Sequence, residues 1–119
     1  MLDAMAISAI EFGAEIDEFV EAGLTPAPSI TIATPRIAES RVSLECRLHQ
    51  IVPIGPMRSL VMSEVLLMRV ADAAVLDGDR GWINTEKLEL IGRMGPNRYV
   101  RTGNVVERIV PTATEWKTI

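Results

Sequence analysis

VSLECRLHQIVPIGPMRSLVMSEVLLMRV, residues 42–70, carries the two clearest strand signals in the chain. Val42, Leu44, Cys46 and Leu48 alternate with Ser43, Glu45, Arg47 and His49. Successive side chains of a strand point to opposite faces, so residues 42–52 read as a half-buried strand with one apolar and one polar face. PIGPM, residues 53–57, turns the chain. Leu60–Val70 reads as a second and longer strand, apolar on both faces except at Ser63, Glu64 and Arg69. Such a strand needs cover on both sides, a core on one and a partner subunit on the other. The expected fold is therefore a β-rich α+β domain.

Upstream, Leu2, Met5, Ala6, Ala9 and Ile10 share a helical face, which predicts a short amphipathic helix over residues 1–12. Asp17 to Ala22 adds another helical turn, closed by Gly23. LTPAPSITIATPR follows, and its prolines forbid a regular helix. It reads as an extended crossing with an edge strand at Ile30–Ile32. Downstream, DGDRG at 77–81 is a turn. Asn84 is placed to cap a helix that runs to about Ile91 and stops at Gly92. Tyr99–Arg101 and Val105–Val110 read as short strands, and the tail is polar apart from Trp116.

The 119 residues are 48% hydrophobic, enough for one domain spanning 1–119 with a real core. A formal charge of −4 argues against a general nucleic-acid binder. No apolar run is long enough to span a bilayer, and the N-terminus lacks the pattern of a secretory signal, so a soluble cytoplasmic protein is expected. The single cysteine excludes an intrachain disulfide, and one cysteine with one histidine makes a metal site improbable. Cys46 reads as a small buried hydrophobe and His49 as a surface residue. Glu64, inside an apolar strand, reads as the partner of an arginine. Neither a P-loop nor a GxGxxG pattern occurs, and no residue is assigned a catalytic role.

One segment invites chemistry. LIGRMGPNRYVRTGN, residues 90–104, holds Gly92, Gly95 and Gly103 with Arg93, Arg98 and Arg101 around the only tyrosine, Tyr99. Guanidinium groups suit phosphate or carboxylate, glycine lets backbone approach a ligand, and tyrosine can stack or pack. Read from the residues alone, the segment is a set of solvated arginines, a subunit contact or an anion site.

Four segments in order resemble the C-terminal part of the flavin reductase-like, FMN-binding split-barrel family. They are DEFVEAGLTPAPS, PRIAESRVSLECRL with Glu39, Ser40, Glu45 and Cys46, LVMSEVLLMRV, and LELIGRMGPNRYVRTGNVVE. The resemblance covers about residues 15–110. Ser63 stands where the family usually has glycine, and Met68 lies near the place of a histidine often found there. The resemblance implies an antiparallel split β-barrel with short flanking helices, truncated in this chain because the family's N-terminal half has no counterpart. It implies FMN as cofactor, NAD(P)H as hydride donor and a homodimer, or another chain that supplies the missing barrel strands. It also implies that Arg93, Tyr99 and Arg101 lie near the flavin or the interface. The implied function is a flavoprotein oxidoreductase. The alternatives are a split-barrel remnant that serves as a dimerisation or binding module without catalysis, and an unrelated small β-rich carrier.

Overall fold

The computed structural model describes residues 1–116. Among the described residues, eight short and long strands pair as four separate antiparallel two-stranded sheets, accompanied by three short α-helices and two 3₁₀ turns. The expected β-rich composition with flanking helices is observed. A closed barrel is not: among the described residues no strand has more than one neighbour.

Helix α1, Leu2–Ile7, is shorter than the predicted amphipathic segment. Helix α2, Glu18–Glu21, starts where the sequence places it. The Asp17 carboxylate accepts from the Phe19 N–H at 2.9 Å and so serves as N-cap. Gly23 follows with φ 65°, the left-handed conformation that glycine adopts without a Cβ penalty.

The predicted edge strand at Ile30–Ile32 does not form. Strand β1 is Pro26–Ala27 and pairs with β2, Arg36–Ile37. The physical reason lies in the donors. Ile30 N–H and Thr31 N–H point to the Glu45 carboxylate at 2.8 and 2.6 Å instead of to a neighbouring strand. A second carboxylate, Glu39, accepts from the Thr25 N–H with both oxygens at 3.0 Å. Two glutamates thus clamp the proline-rich crossing, one at its start and one in its middle.

Strands β3, Val42–Gly55, and β4, Arg58–Val70, form a long hairpin that is the largest element of the molecule. β3 runs further than residue 52, through Pro53 to a tight connection at Pro56–Met57. The register shifts between Glu45 and Cys46, between Leu48 and Gln50, and between Pro53 and Gly55. Bulges of this kind bend and twist a hairpin, as a barrel wall requires. Arg47 pairs with Glu64 across the hairpin, Nη2 to Oε2 at 2.5 Å, which is the arginine partner expected for that glutamate. Both side chains are exposed, so the pair contributes little to stability.

Strand β5, Val75–Asp77, pairs with β6, Trp82–Ile83, across the predicted DGDRG turn. The helix predicted from Asn84 to Ile91 is a single 3₁₀ turn, Thr85–Leu88. It ends at Glu89, which takes a left-handed conformation with φ 51°. Residues 91–95 are strand instead: β7, Ile91–Gly95, pairs with β8, Arg98–Arg101. The strand predicted at Val105–Val110 is absent, and those residues are exposed. Helix α3, Ala113–Trp116, opens on a reciprocal cap in which the Glu115 carboxylate accepts from both the Thr112 N–H and its hydroxyl.

Burial departs from the expected pattern of β3 at three positions, while Arg47 and His49 are exposed as expected. Glu45, on its polar face, is 2% exposed, whereas Leu44 and Leu48 on its apolar face are 54% and 58% exposed. The crossing 29–37 covers Glu45; among the described residues nothing covers Leu44 and Leu48 to the same degree. Cross-strand pairs Leu44–Met68, Cys46–Val65 and Ile51–Val61 continue this open apolar face across β4. Met68, Val65 and Val61 are all more than half exposed. Cys46 is a free thiol, half-buried rather than sealed in a core. The accessible surface, 10180 Å², compares with about 6,400 Å² for a compact chain of this size. The radius of gyration is 18.8 Å, against about 13.5 Å for a compact domain.

Candidate functional site

The segment 90–104 folds as a β-hairpin because Gly95, Pro96 and Asn97 supply a turn between two short strands. Register decides which side chains meet. Arg93 stands opposite Tyr99 and Ile91 opposite Arg101, so Arg93, Tyr99 and Arg101 occupy one face of the β7–β8 hairpin. The structure therefore brings the three residues together. Gly92 and Val100 take the opposite face.

Their environments differ. Tyr99 is half-buried, and Arg93 and Arg101 are exposed. The Arg93 guanidinium folds back on its own turn, with Nε donating to the Gly95 carbonyl at 3.0 Å and Nη2 to the Pro96 carbonyl at 3.4 Å. Arg101 makes no side-chain hydrogen bond or ion pair among the described residues. It borders a cleft of about 420 Å³ together with Glu86, Glu89, Ile91, Thr102 and Gly103. That volume lies within the range of small-molecule sites. Glu89 is partly neutralised there by Arg41, Nη2 to Oε2 at 3.2 Å. Arg98, the third arginine of the segment, is exposed beside the turn.

Tested against a flavin phosphate and ring, these residues fit in part. Arg101 offers an uncommitted guanidinium and Tyr99 a half-covered ring on the same face. Arg93 can contribute only by giving up its bonds to the turn, and the two glutamates of the cleft oppose an anion.

Gly92 shows how tightly the hairpin's other face is built. A Cβ at this position would lie 3.1 Å from Val100 Cγ1. Gly92→Ala is expected to cost about 1 kcal/mol in urea denaturation, because the valine must shift. Trimming the neighbour with Val100→Ala should restore most of the loss. A gain in stability from Gly92→Ala alone would show that Val100 yields freely.

The residue that sequence reasoning missed is Glu45. Its Oε1 accepts from Ile30 N–H, and its Oε2 accepts from both the N–H and the hydroxyl of Thr31, the latter at 2.5 Å. These bonds, the Thr31 hydroxyl first, hold its carboxyl below the usual glutamate range against the opposing effect of burial. Strand alternation put Glu45 on a solvent face; its donors lie fourteen and fifteen residues upstream, beyond any local pattern.

No family model matches the chain. Among curated relatives, an uncharacterized protein of Aquifex aeolicus is 41% identical over 101 residues, 85% of this chain and 50% of that protein. An uncharacterized protein of Halalkalibacterium halodurans is 33% identical, over 96% of this chain and 56% of that protein. The chain spans about half the length of the curated relatives it matches. Solved structures are more informative. The 2-nitrobenzoate 2-nitroreductase of Pseudomonas fluorescens superposes with a TM-score of 0.85 and 28% identity, over 94% of this chain and 55% of that one. Component B of nitrilotriacetate monooxygenase from Bacillus cereus gives 0.80 and 26%, over 90% and 54%. A split-barrel protein of Shewanella frigidimarina, assigned as a flavin reductase, gives 0.74 and 22%, over 87% and 52%, a likeness of fold alone. Across roughly half of each solved chain, this protein is a structural match to the flavin reductase-like, FMN-binding split-barrel proteins.

Proposed function

We propose that this chain forms the C-terminal portion of a flavin reductase-like split barrel and takes part in binding FMN for hydride transfer from NAD(P)H. The observation that carries the proposal is the superposition on a nitroreductase over nearly the whole of this chain. The placement of Arg93, Tyr99 and Arg101 on one hairpin face is compatible with it. Bound flavin would supply the hydride-accepting chemistry, and no protein acid or base is required for that step. The tasks left to this chain are binding and orientation. Arg101 would hold an anionic group, Tyr99 would pack against a flat ring, and Gly103 would allow close backbone approach.

The open face of the β3–β4 hairpin supports a second copy of the chain as the partner in this reading. A second copy of the same fold covers Leu44, Leu48, Ile51, Val61, Val65 and Met68 and completes a wall that one chain leaves open. Two observations support it: the half-exposed aliphatic face, and accessible surface several thousand Å² in excess of a compact chain. Obligate interfaces bury about 2,000–5,000 Å² or more counted over both partners, so a second copy takes up part of that excess.

Flavin titration of the purified protein, with and without NADH, tests the proposal. FMN is expected to bind saturably. Arg101→Ala should weaken it by about 1.5–3 kcal/mol, tenfold or more in Kd, as the loss of a charge-assisted hydrogen bond. Arg93→Ala should have a smaller effect, because that guanidinium already serves the turn. Unchanged affinity in both variants would return the arginines to the surface or the interface. A second reading, a binding or dimerisation module without catalysis, is favoured by the two glutamates in the cleft. A protein that associates but binds no added FMN would establish it.

A further inference from the structure

Arg36 and Arg69 are two arginines with no assigned task. Arg36 lies in β2 and Arg69 in β4, opposite Ser43. Both border a recess of about 240 Å³, together with Ser40, Arg41 and Asp72. Among the described residues, Arg36 Nε and Arg69 Nε are the buried side-chain donors left without a hydrogen-bond partner. Buried donors are ordinarily satisfied, and an orphaned charged one calls for an explanation.

The neighbouring charges do not provide it. Arg41 is committed elsewhere: its Nη1 donates to the Lys87 carbonyl at 2.8 Å and its Nη2 pairs with Glu89. Glu45 attracts Arg69 through space, but its oxygens are taken by Ile30 and Thr31. Asp72 is the one acid bordering the recess, against three arginines. The recess is therefore positively charged, with two guanidinium groups on different strands whose Nε donors are unused but buried, so a ligand engages them only when the side chains turn toward the recess.

We propose that Arg36 and Arg69 form an oxyanion site that takes a phosphate group. An arginine presents Nε and one Nη as a fork to a pair of oxygens. One fork saturates a carboxylate. Two forks from separate strands match a tetrahedral oxyanion, which has oxygens for both. The recess is larger than a phosphate alone, so the group can be free phosphate or the phosphate of a nucleotide. This site is built from different elements than the Arg93–Tyr99–Arg101 face and does not depend on the flavin reading.

The test is a titration at constant ionic strength with inorganic phosphate, adenosine monophosphate and adenosine, followed through the arginine Nε–H resonances. Saturable shifts are expected at Arg36 and Arg69 and none at the exposed Arg98. Arg36→Lys and Arg69→Lys keep the charge but lose the fork, and each should weaken phosphate at least about tenfold. Circular dichroism checks that both variants remain folded. Tighter binding of adenosine monophosphate than of inorganic phosphate would assign the site to a phosphate carried by a nucleotide; equal binding would assign it to free phosphate. No saturable shift, an equal shift at Arg98, binding of adenosine as tight as that of its monophosphate, or unaltered affinity in both lysine variants would overturn the proposal.

Discussion

Replacing Leu48 and Val65 together with aspartate is expected to convert an associated protein into one with the mass of a single chain. The two positions are 58% and 53% exposed in the isolated chain. On an ordinary surface such changes shift stability by no more than about 0.5 kcal/mol. At the centre of a covered face each aspartate must be desolvated without a partner, which costs on the order of several kcal/mol. Aliphatic contact worth about 25 cal/mol per Å² is lost as well. The difference between these outcomes is large enough to read by sedimentation. A double variant that sediments like the parent would mean that the apolar face is not the contact.

The second large effect is expected at Glu45. Its carboxylate takes three hydrogen bonds from the crossing 29–37, at 2% exposure. Glu45→Gln replaces an acceptor with a group half of which donates, so at least one of the Ile30 and Thr31 donors is left facing another donor. The variant should melt lower than the parent at neutral pH, on the order of 5 °C. Amides of residues 30 and 31 should exchange much faster. The pH dependence has a definite sign. The folded carboxyl lies below its ordinary value of 4.5, so its stabilisation is complete above that value and is lost as pH falls through the lower folded value. Glu39 is depressed in the same direction by its bonds to Thr25 and adds to the same acid loss. Parent and Glu45→Gln curves should therefore be separated at neutral pH and converge in acid. Curves that stay parallel into acid, or coincide at neutral pH, would contradict the clamp.

The long hairpin was legible because its signals are local. Alternation over Val42–His49 and the apolar run Leu60–Val70 specify strands, and the proline–glycine stretch between them specifies a turn. Glu64 could be assigned an arginine partner because a carboxylate in an apolar strand needs one, and Arg47 stands directly across. What failed was set by distance. Residues 30–32 have the composition of a strand, yet Glu45 takes their donors. Ile91 and Gly92 looked like the end of a helix and its glycine stop. The left-handed turn at Glu89 and the pairing with Arg98–Arg101 made them a strand. In β3, Leu44 and Leu48 read as buried and are open, while Glu45 on the opposite face is covered, because alternation separates two faces without saying which is covered by this chain. Arg93, Tyr99 and Arg101 came into view through resemblance, and register places them on one face. Arg36 and Arg69 do not read as a site in the sequence, since an unsatisfied Nε is visible only after folding.

The claim beneath the whole account is that the outer wall of the β3–β4 hairpin belongs against a second polypeptide surface. The direct measurement is the solution mass of the unmodified protein by sedimentation equilibrium, across a range of concentrations. The account predicts twice the chain mass, maintained on dilution into the low micromolar range. A folded species of single-chain mass at every concentration, with Leu44, Leu48 and Val65 open to solvent, would contradict it.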